Sequence, residues 1–115
     1  DCKKIVAENI FDIGSHSINH SLISNLSIDE CISEVQESKN IIENKLEITC
    51  DHFAPPVGDY LINRDLKIVK DSNYKSLSTT IRGKMSRQNY DPFLLKRHHL
   101  LANWNTNYLK YFFSH

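Results

Sequence analysis

Apolar residues recur along one face of the chain between residues 28 and 46. Ile28, Ile32, Val35, Ile42 and Leu46 follow at spacings of four, three, seven and four, the stripe of an amphipathic helix. Ser27 and Glu30 open it as a capping box, in which each side chain satisfies a backbone N–H of the other. Glu30, Glu34 and Glu37 lie in its first half, where the positive end of the helix dipole favours them. The helix is predicted to stop at Leu46 or Glu47. Residues 1–9 (DCKKIVAEN) put Cys2, Ile5 and Val6 on one side of a helical wheel and read as the last turns of a helix. Ile10 to Ile13 alternates weakly up to Gly14, as a short strand does. Residues 48–54 are strand-like, and Pro55-Pro56-Val57-Gly58 is a loop, because two prolines do not fit a central strand. Asn63-Arg64-Asp65 reads as the cap of a second helix carrying Leu66, Ile68 and Val69. Tyr74 to Ile81 is alternating and β-prone, residues 83–92 are a polar loop, and Phe93 to Leu101 reads as a further strand. Thr106 to Phe113 reads as an aromatic-rich final helix.

Strands alternating with helices predict an α/β fold with a mostly parallel sheet or barrel. Active groups in such folds gather at the carboxyl ends of the strands. A length of 115 residues suits one domain. The abrupt helix–strand–turn opening gives the expectation that residues 1–115 are the latter part of a single larger domain. A barrel cut in this way leaves an unpaired edge beside Ile10 to Gly14, so self-association of the chain is expected.

Charge narrows the function classes. Lys and Arg total 14, Asp and Glu total 14, and the formal net charge is zero. Nucleic-acid binders and polybasic membrane binders depend on surplus positive charge, and this chain has none. No apolar run approaches the roughly 20 residues of a membrane-spanning helix. Cys2, Cys31 and Cys50 are widely spaced and form no C-x-x-C pair. They are expected as free, buried or half-buried thiols.

His16 and His20 are the candidate chemistry. A helical turn over residues 16–20 would bring both rings to one side, with Cβ atoms about 6 Å apart. That is the spacing by which H-x-x-x-H patterns hold zinc. A metal site needs a third protein ligand and an open position, so the pair alone leaves two readings: half of a metal centre, or two exposed loop histidines.

The context of the pair resembles one family. Ile13-Gly14-Ser15-His16-Ser17-Ile18-Asn19-His20, then Leu22, Leu26 and Ser27, then the helix with Glu34, Ser38, Lys39, Ile42, Glu43 and Leu46, are similar to the polysaccharide deacetylases. This is the NodB-homology domain, or carbohydrate esterase family 4. Its second motif is H-[ST]-x-x-H. Phe53-Ala54-Pro55-Pro56-Val57-Gly58-Asp59-Tyr60 resembles its third motif, and Tyr74 to Thr80 with Asp91-Pro92-Phe93 and Leu95-Lys96-Arg97 fits the tail of one branch.

The resemblance implies a distorted (β/α) barrel of the NodB-homology type, its N-terminal portion missing here. It implies a metal-dependent hydrolase that removes N-acetyl groups from glycans containing N-acetylglucosamine. His16 and His20 match the two histidine ligands of a divalent metal, usually zinc. The backbone N–H of Val57 matches the donor to the oxyanion, fixed by Pro55, Pro56 and Gly58. Asp59 and Tyr60 fall where a sugar groove is lined. The work place implied is the periplasm or cell envelope, where such glycans lie.

Three departures accompany the resemblance. The family's opening T-F-D-D-G motif, source of its carboxylate ligand and general base, is absent, and the chain contains no Asp-Asp pair. Ala54 and Val57 replace residues common in many members. The late L-x-H motif, whose His protonates the leaving amine, has only His98 or His99 as candidates. The other reading of that pair is one ring inward and one outward along a strand. A second functional class therefore stands beside the hydrolase: a truncated, non-catalytic module that binds glycan or a protein partner. His52 reads as structural, Ser17 as a loop hydrogen-bonding residue, His115 as solvated, and Trp104 with the aromatic tail as core.

Overall fold

The computed structural model describes residues 2–114. Asp1, assigned above to the first helix, and His115, assigned to solvent, lie outside the described residues. The elements in order are α1 (Cys2–Ala7), a 3-10 turn (Ile23–Asn25), α2 (Ile28–Leu46), β1 (His52–Phe53), a second 3-10 turn (Pro56–Gly58), α3 (Asp65–Asp71), β2 (Ser76–Leu77) and α4 (Thr106–Ser114).

The long helix forms as its sequence dictates. Ser27 Oγ accepts from the Glu30 N–H and the Ser27 N–H donates to Glu30 Oε2 at 2.9 Å, so the capping box is complete. Glu47 ends the helix in the left-handed region, its N–H returning to the Glu43 carbonyl. The buried face is rotated from the one that the apolar stripe predicts. Cys31, Glu34, Val35 and Ser38 are buried, whereas Ile28 is 57% exposed. A polar residue goes inside where it finds partners, and Glu34 and Ser38 both do.

Strands are shorter than the pattern predicts. β1 and β2 pair in parallel with His52 opposite Ser76 and Phe53 opposite Leu77. Single parallel bridges extend the array on both sides, Ser15 to Phe53 and Ser78 to Leu95. The chain segments thus lie side by side in the order Ser15, β1, β2, Leu95, which is the sequential parallel order of βα units. Ile10 to Ile13 does not form the expected strand. Pairing begins only at Ser15, whose N–H donates to the His52 carbonyl at 2.8 Å. Phe93 to Leu101 likewise contributes a single bridge instead of a strand.

Beneath this array lies the core: Ile23, Val35, Phe53, Val69, Tyr74 and Leu77 with their neighbours. α3 buries Leu66, Ile68 and Val69. The predicted cap is replaced by a different device. Arg64 stands at the N-cap without a capping side chain, and the buried Asp65 accepts from the Leu61 N–H at 2.7 Å. Arg64 donates to Asp65 and to the carbonyls of Ile23 and Leu26, so it ties α3 to the first 3-10 turn. Cys31 and Cys50 are buried free thiols and Cys2 is an exposed one. α4 forms over the predicted residues, but none of its residues is buried. Trp104, expected in the core, lies outside the core cluster, half-buried among Tyr108 and Phe112, the latter packed in turn against His98.

Candidate active site

His16 and His20 sit in the loop that follows the Ser15 bridge, at the carboxyl side of the parallel array. Their ring centroids are 5.0 Å apart and their planes meet at 67°. No helical turn brings them together. Residues 16–20 are a bent loop in which Ser17 (φ 65°) and His20 (φ 57°) occupy the left-handed region, and the His20 N–H donates to Ser17 Oγ. Both imidazoles are exposed. His16 Nδ1 lies 2.6 Å from the carbonyl oxygen of Ala54. A carbonyl only accepts, so Nδ1 carries a proton, and in the neutral ring Nε2 keeps its lone pair. This is the state in which an imidazole binds a metal, oriented by the bond behind it.

Two further contacts hold the loop. Glu34 of α2 accepts from the N–H groups of Ile18 (2.8 Å) and Asn19 (3.0 Å) and from the Asn19 side chain. Burial pushes its carboxyl upward, but the hydrogen bonds from Asn19 and Ile18 outweigh it and hold the carboxyl below its ordinary value. Ser15, itself buried, donates from Oγ to Ser38 Oγ at 2.7 Å. Gly14 is required by space, since a Cβ there would lie 2.8 Å from the His52 carbonyl oxygen.

The proline loop approaches from the other side. Pro55 and Pro56 are fully buried and support the loop from within. Val57 is 71% exposed, with φ 58° and ψ 3°, a conformation that costs a β-branched residue on the order of 1–3 kcal/mol. The turn's own hydrogen bonds, Gly58 N–H to Pro55 and Asp59 N–H to Pro56, do not use the Val57 N–H. Gly58 has φ +75° and packs against Thr80, where a Cβ would meet Oγ1 at 2.2 Å. The Asp59 carboxylate accepts from the Ser24 hydroxyl (2.8 Å) and N–H (2.9 Å), which fastens the loop to the first 3-10 turn. Tyr60 is half-buried against the core, and burial raises its phenol above the ordinary value.

A cavity of about 280 Å³ is lined by Gly14, His16, His52, Ala54, Ser78 and Arg97, among others. His52 Nδ1 pairs with Ser76 Oγ at 2.8 Å across the two strands. His98 does not line this cavity. It lies in a neighbouring one with His99, its ring edge-on to Phe112 at 5.0 Å. His98 is half-buried and His99 exposed.

Two residues with a part in the site escape sequence reasoning. Glu34 reads as a helix-dipole acid, although its position three residues after Cys31 and directly before Val35 places it on the buried face. Arg97 reads only as part of a tail pattern. It donates from Nε to the Thr79 carbonyl at 2.7 Å and lines both cavities.

The donor set fits half of a metal centre. Two exposed imidazoles lie with ring centroids 5.0 Å apart, one of them held through Nδ1 by the Ala54 carbonyl. Among the described residues no third His, Cys, Asp or Glu completes a group that could hold an ion.

Known proteins place this geometry. The polysaccharide deacetylase family matches residues 1–77. Among solved structures, the Streptococcus pyogenes deacetylase PplD, in complex with acetate, is 28% identical with a TM-score of 0.78, over 85% of this chain and 42% of that one. BA3943, a carbohydrate esterase family 4 pseudoenzyme from Bacillus anthracis, is 26% identical with a TM-score of 0.60, over 70% of this chain and 28% of that one. A de-N-acetylase from Aggregatibacter actinomycetemcomitans shares the fold at 12% identity, with a TM-score of 0.76 over 96% of this chain and 51% of that one. No curated protein sequence matches the chain. The chain thus spans less than half the length of PplD. Its fold is of the NodB type, and the chain belongs to the polysaccharide deacetylase family.

Proposed function

We propose that this chain supplies the two-histidine half of a metal-dependent hydrolase that removes N-acetyl groups from a glycan containing N-acetylglucosamine, at the cell envelope. The observation that carries the reading is the His16–His20 pair, with His16 Nε2 freed by the bond from Nδ1 to Ala54. His16 and His20 would hold the divalent metal, zinc being a good match for imidazole nitrogen. A bound cation of this kind lowers the pKa of its water and polarises the acetamide carbonyl.

The chain's own residues do the rest of what this reading requires of them. Glu34 fixes the histidine loop by accepting from its N–H groups, so the two rings keep their spacing without substrate present. Val57 offers an N–H held by a rigid turn, which suits the oxygen that gains charge when water adds to the acetamide carbon. Pro55 and Pro56 make that donor stiff, so little reorganisation accompanies the reaction. Gly14 and Ser78 leave space beside His16 for the acetyl group. The general base and third ligand are assigned to the part of such a protein that this chain does not span.

The test is acetate release from a chitin oligomer by the full-length protein, wild type against His16→Ala, with and without chelator. The reading requires release that disappears in the variant and on chelation. A second reading has its own support. The described residues hold no complete ligand set, and BA3943, at 26% identity, is a pseudoenzyme. Glycan binding by the full-length protein with no acetate release under any metal would establish that non-catalytic module instead.

A further inference from the structure

Beside the His16 cavity lies another of about 370 Å³, lined by Thr80, Arg82, Arg97, His98 and His99. Every lining side chain is a hydrogen-bond donor, two are permanent cations, and none is acidic. In a chain of zero net charge this is a local concentration of positive charge. The donors are largely unspent. Arg82 makes no ion pair or hydrogen bond among the described residues. Arg97 uses Nε on Thr79 and Nη2 on Ser78, which leaves Nη1. His98 Nδ1 is buried without any partner, a situation that costs free energy unless a ligand answers it.

The cavity is joined to the candidate active site in two ways. Arg97 lines both cavities. Thr80, in the wall of the cationic one, packs against Gly58 next to the Val57 N–H. The two cavities therefore share a wall, and one glycan chain spans both.

We propose that this cavity binds a phosphate group carried on the glycan. The inference rests on the glycan reading above and narrows its substrate class to a phosphorylated polymer. Phosphate fits better than a carboxylate because its tetrahedral oxygens present acceptors in several directions, and the donors here belong to five separate side chains. A planar carboxylate would satisfy one guanidinium fork and leave the others unanswered.

The experiment compares binding of N-acetylglucosamine 6-phosphate, N-acetylglucosamine and inorganic phosphate to the full-length protein by calorimetry at low ionic strength. The phosphorylated sugar is expected to bind at least about tenfold more tightly than the neutral one, the scale of a charge-assisted hydrogen bond. Arg82→Gln abolishes that preference, leaves the neutral sugar's affinity and the melting temperature unchanged, and Arg82→Lys retains part of the preference. Equal affinities for the two sugars, or a preference that survives Arg82→Gln, overturns the proposal. Inorganic phosphate binding as tightly as the phosphorylated sugar also overturns it, leaving an adventitious ion only. The same titration on His16→Ala separates the two readings. If the preference persists in wild type and His16→Ala while the wild-type protein itself releases no acetate, the hydrolase reading fails and the phosphate cavity stands.

Discussion

The Nδ1–H of His16 donates to the carbonyl of Ala54 across 38 residues of sequence, at 2.6 Å. One bond thus joins the two motifs that carry the family resemblance and sets which nitrogen of the neutral His16 ring keeps its lone pair. Removing the ring removes both the ligand and the link. In the full-length protein, His16→Ala is expected to weaken zinc or cobalt binding by at least about 100-fold, since loss of an outer hydrogen bond alone costs about 10–100-fold. Titration with cobalt, followed by its visible absorption, measures this. Undiminished affinity would remove His16 from the metal centre.

Glu34 gives a pH signature. Its carboxyl sits below the ordinary value of 4.5 in the folded chain. An acid depressed on folding contributes stability that is fully present above the unfolded value and lost as pH falls through the folded one. Glu34→Gln should therefore cost about 2 kcal/mol at neutral pH, on the scale of hydrogen bonds to a charged acceptor. The gap between wild type and variant should close as pH drops below about 4.5. Urea melts of both proteins at neutral and acid pH give the difference directly. Asp51 and Glu43, also depressed, titrate in both proteins and cancel. A gap independent of pH would mean that folding leaves the Glu34 carboxyl unshifted, so that its hydrogen bonds do not favour the charged form.

The fate of Glu34 shows what a sequence can and cannot carry. The capping box at Ser27 and Glu30 is local chemistry, so the start of α2 was legible to the residue. Its buried face was not. Long-range acceptance from Ile18 and Asn19 draws Glu34 inward, and Cys31 and Ser38 follow, against an apolar stripe that favours Ile28. The strands failed for a related reason. Weak alternation in residues 10–13 and 93–101 could not state that, among the described residues, bridge pairing in these segments is confined to Ser15 and Leu95. The histidine pair was found by spacing, yet the geometry that joins it is a loop with two left-handed residues, not the helical turn that the spacing suggests.

Val57 separates backbone from side-chain roles. Its φ of 58° is strained for a β-branched residue. Val57→Gly removes the strain and keeps the N–H. Stability is expected to change by no more than about 1 kcal/mol, with relief of strain offsetting the extra entropy of glycine. Any acetate release is retained. Val57→Pro removes the N–H and forbids the conformation, so activity falls by about 100-fold or more, the scale of a lost oxyanion donor. Comparable losses in both variants would assign the role to the isopropyl group and its contacts.

Thiol chemistry tests the core. Burial, together with the carboxylate of Asp65, pushes the Cys31 thiol up to about 11, and burial raises Cys50 as well. Cys2 is exposed. The thiolate is the reactive form, so at mildly alkaline pH one thiol should react quickly with an aromatic disulfide and the other two only on unfolding. Three fast thiols in the native protein would mean that α2 and the segment after it do not pack as described.

Self-association is the last expectation, and it has a specific address. Ile10 is 74% exposed and Phe11 60%, in a segment that forms no strand pairing before Ser15 among the described residues. Adjacent large apolar side chains on an unpaired stretch of backbone offer both hydrophobic area and open hydrogen-bonding groups to a second copy. The 115-residue chain on its own should therefore elute from size exclusion as concentration-dependent oligomers. Ile10→Lys with Phe11→Ser should shift it towards monomer without lowering its melting temperature, because neither side chain is part of the core. A monodisperse monomer at high concentration would show that the segment is satisfied within its own chain. Oligomers that persist in the double variant would move the contact elsewhere, with the exposed aromatic face of α4 (Tyr108, Tyr111 and Phe113) the next surface to substitute.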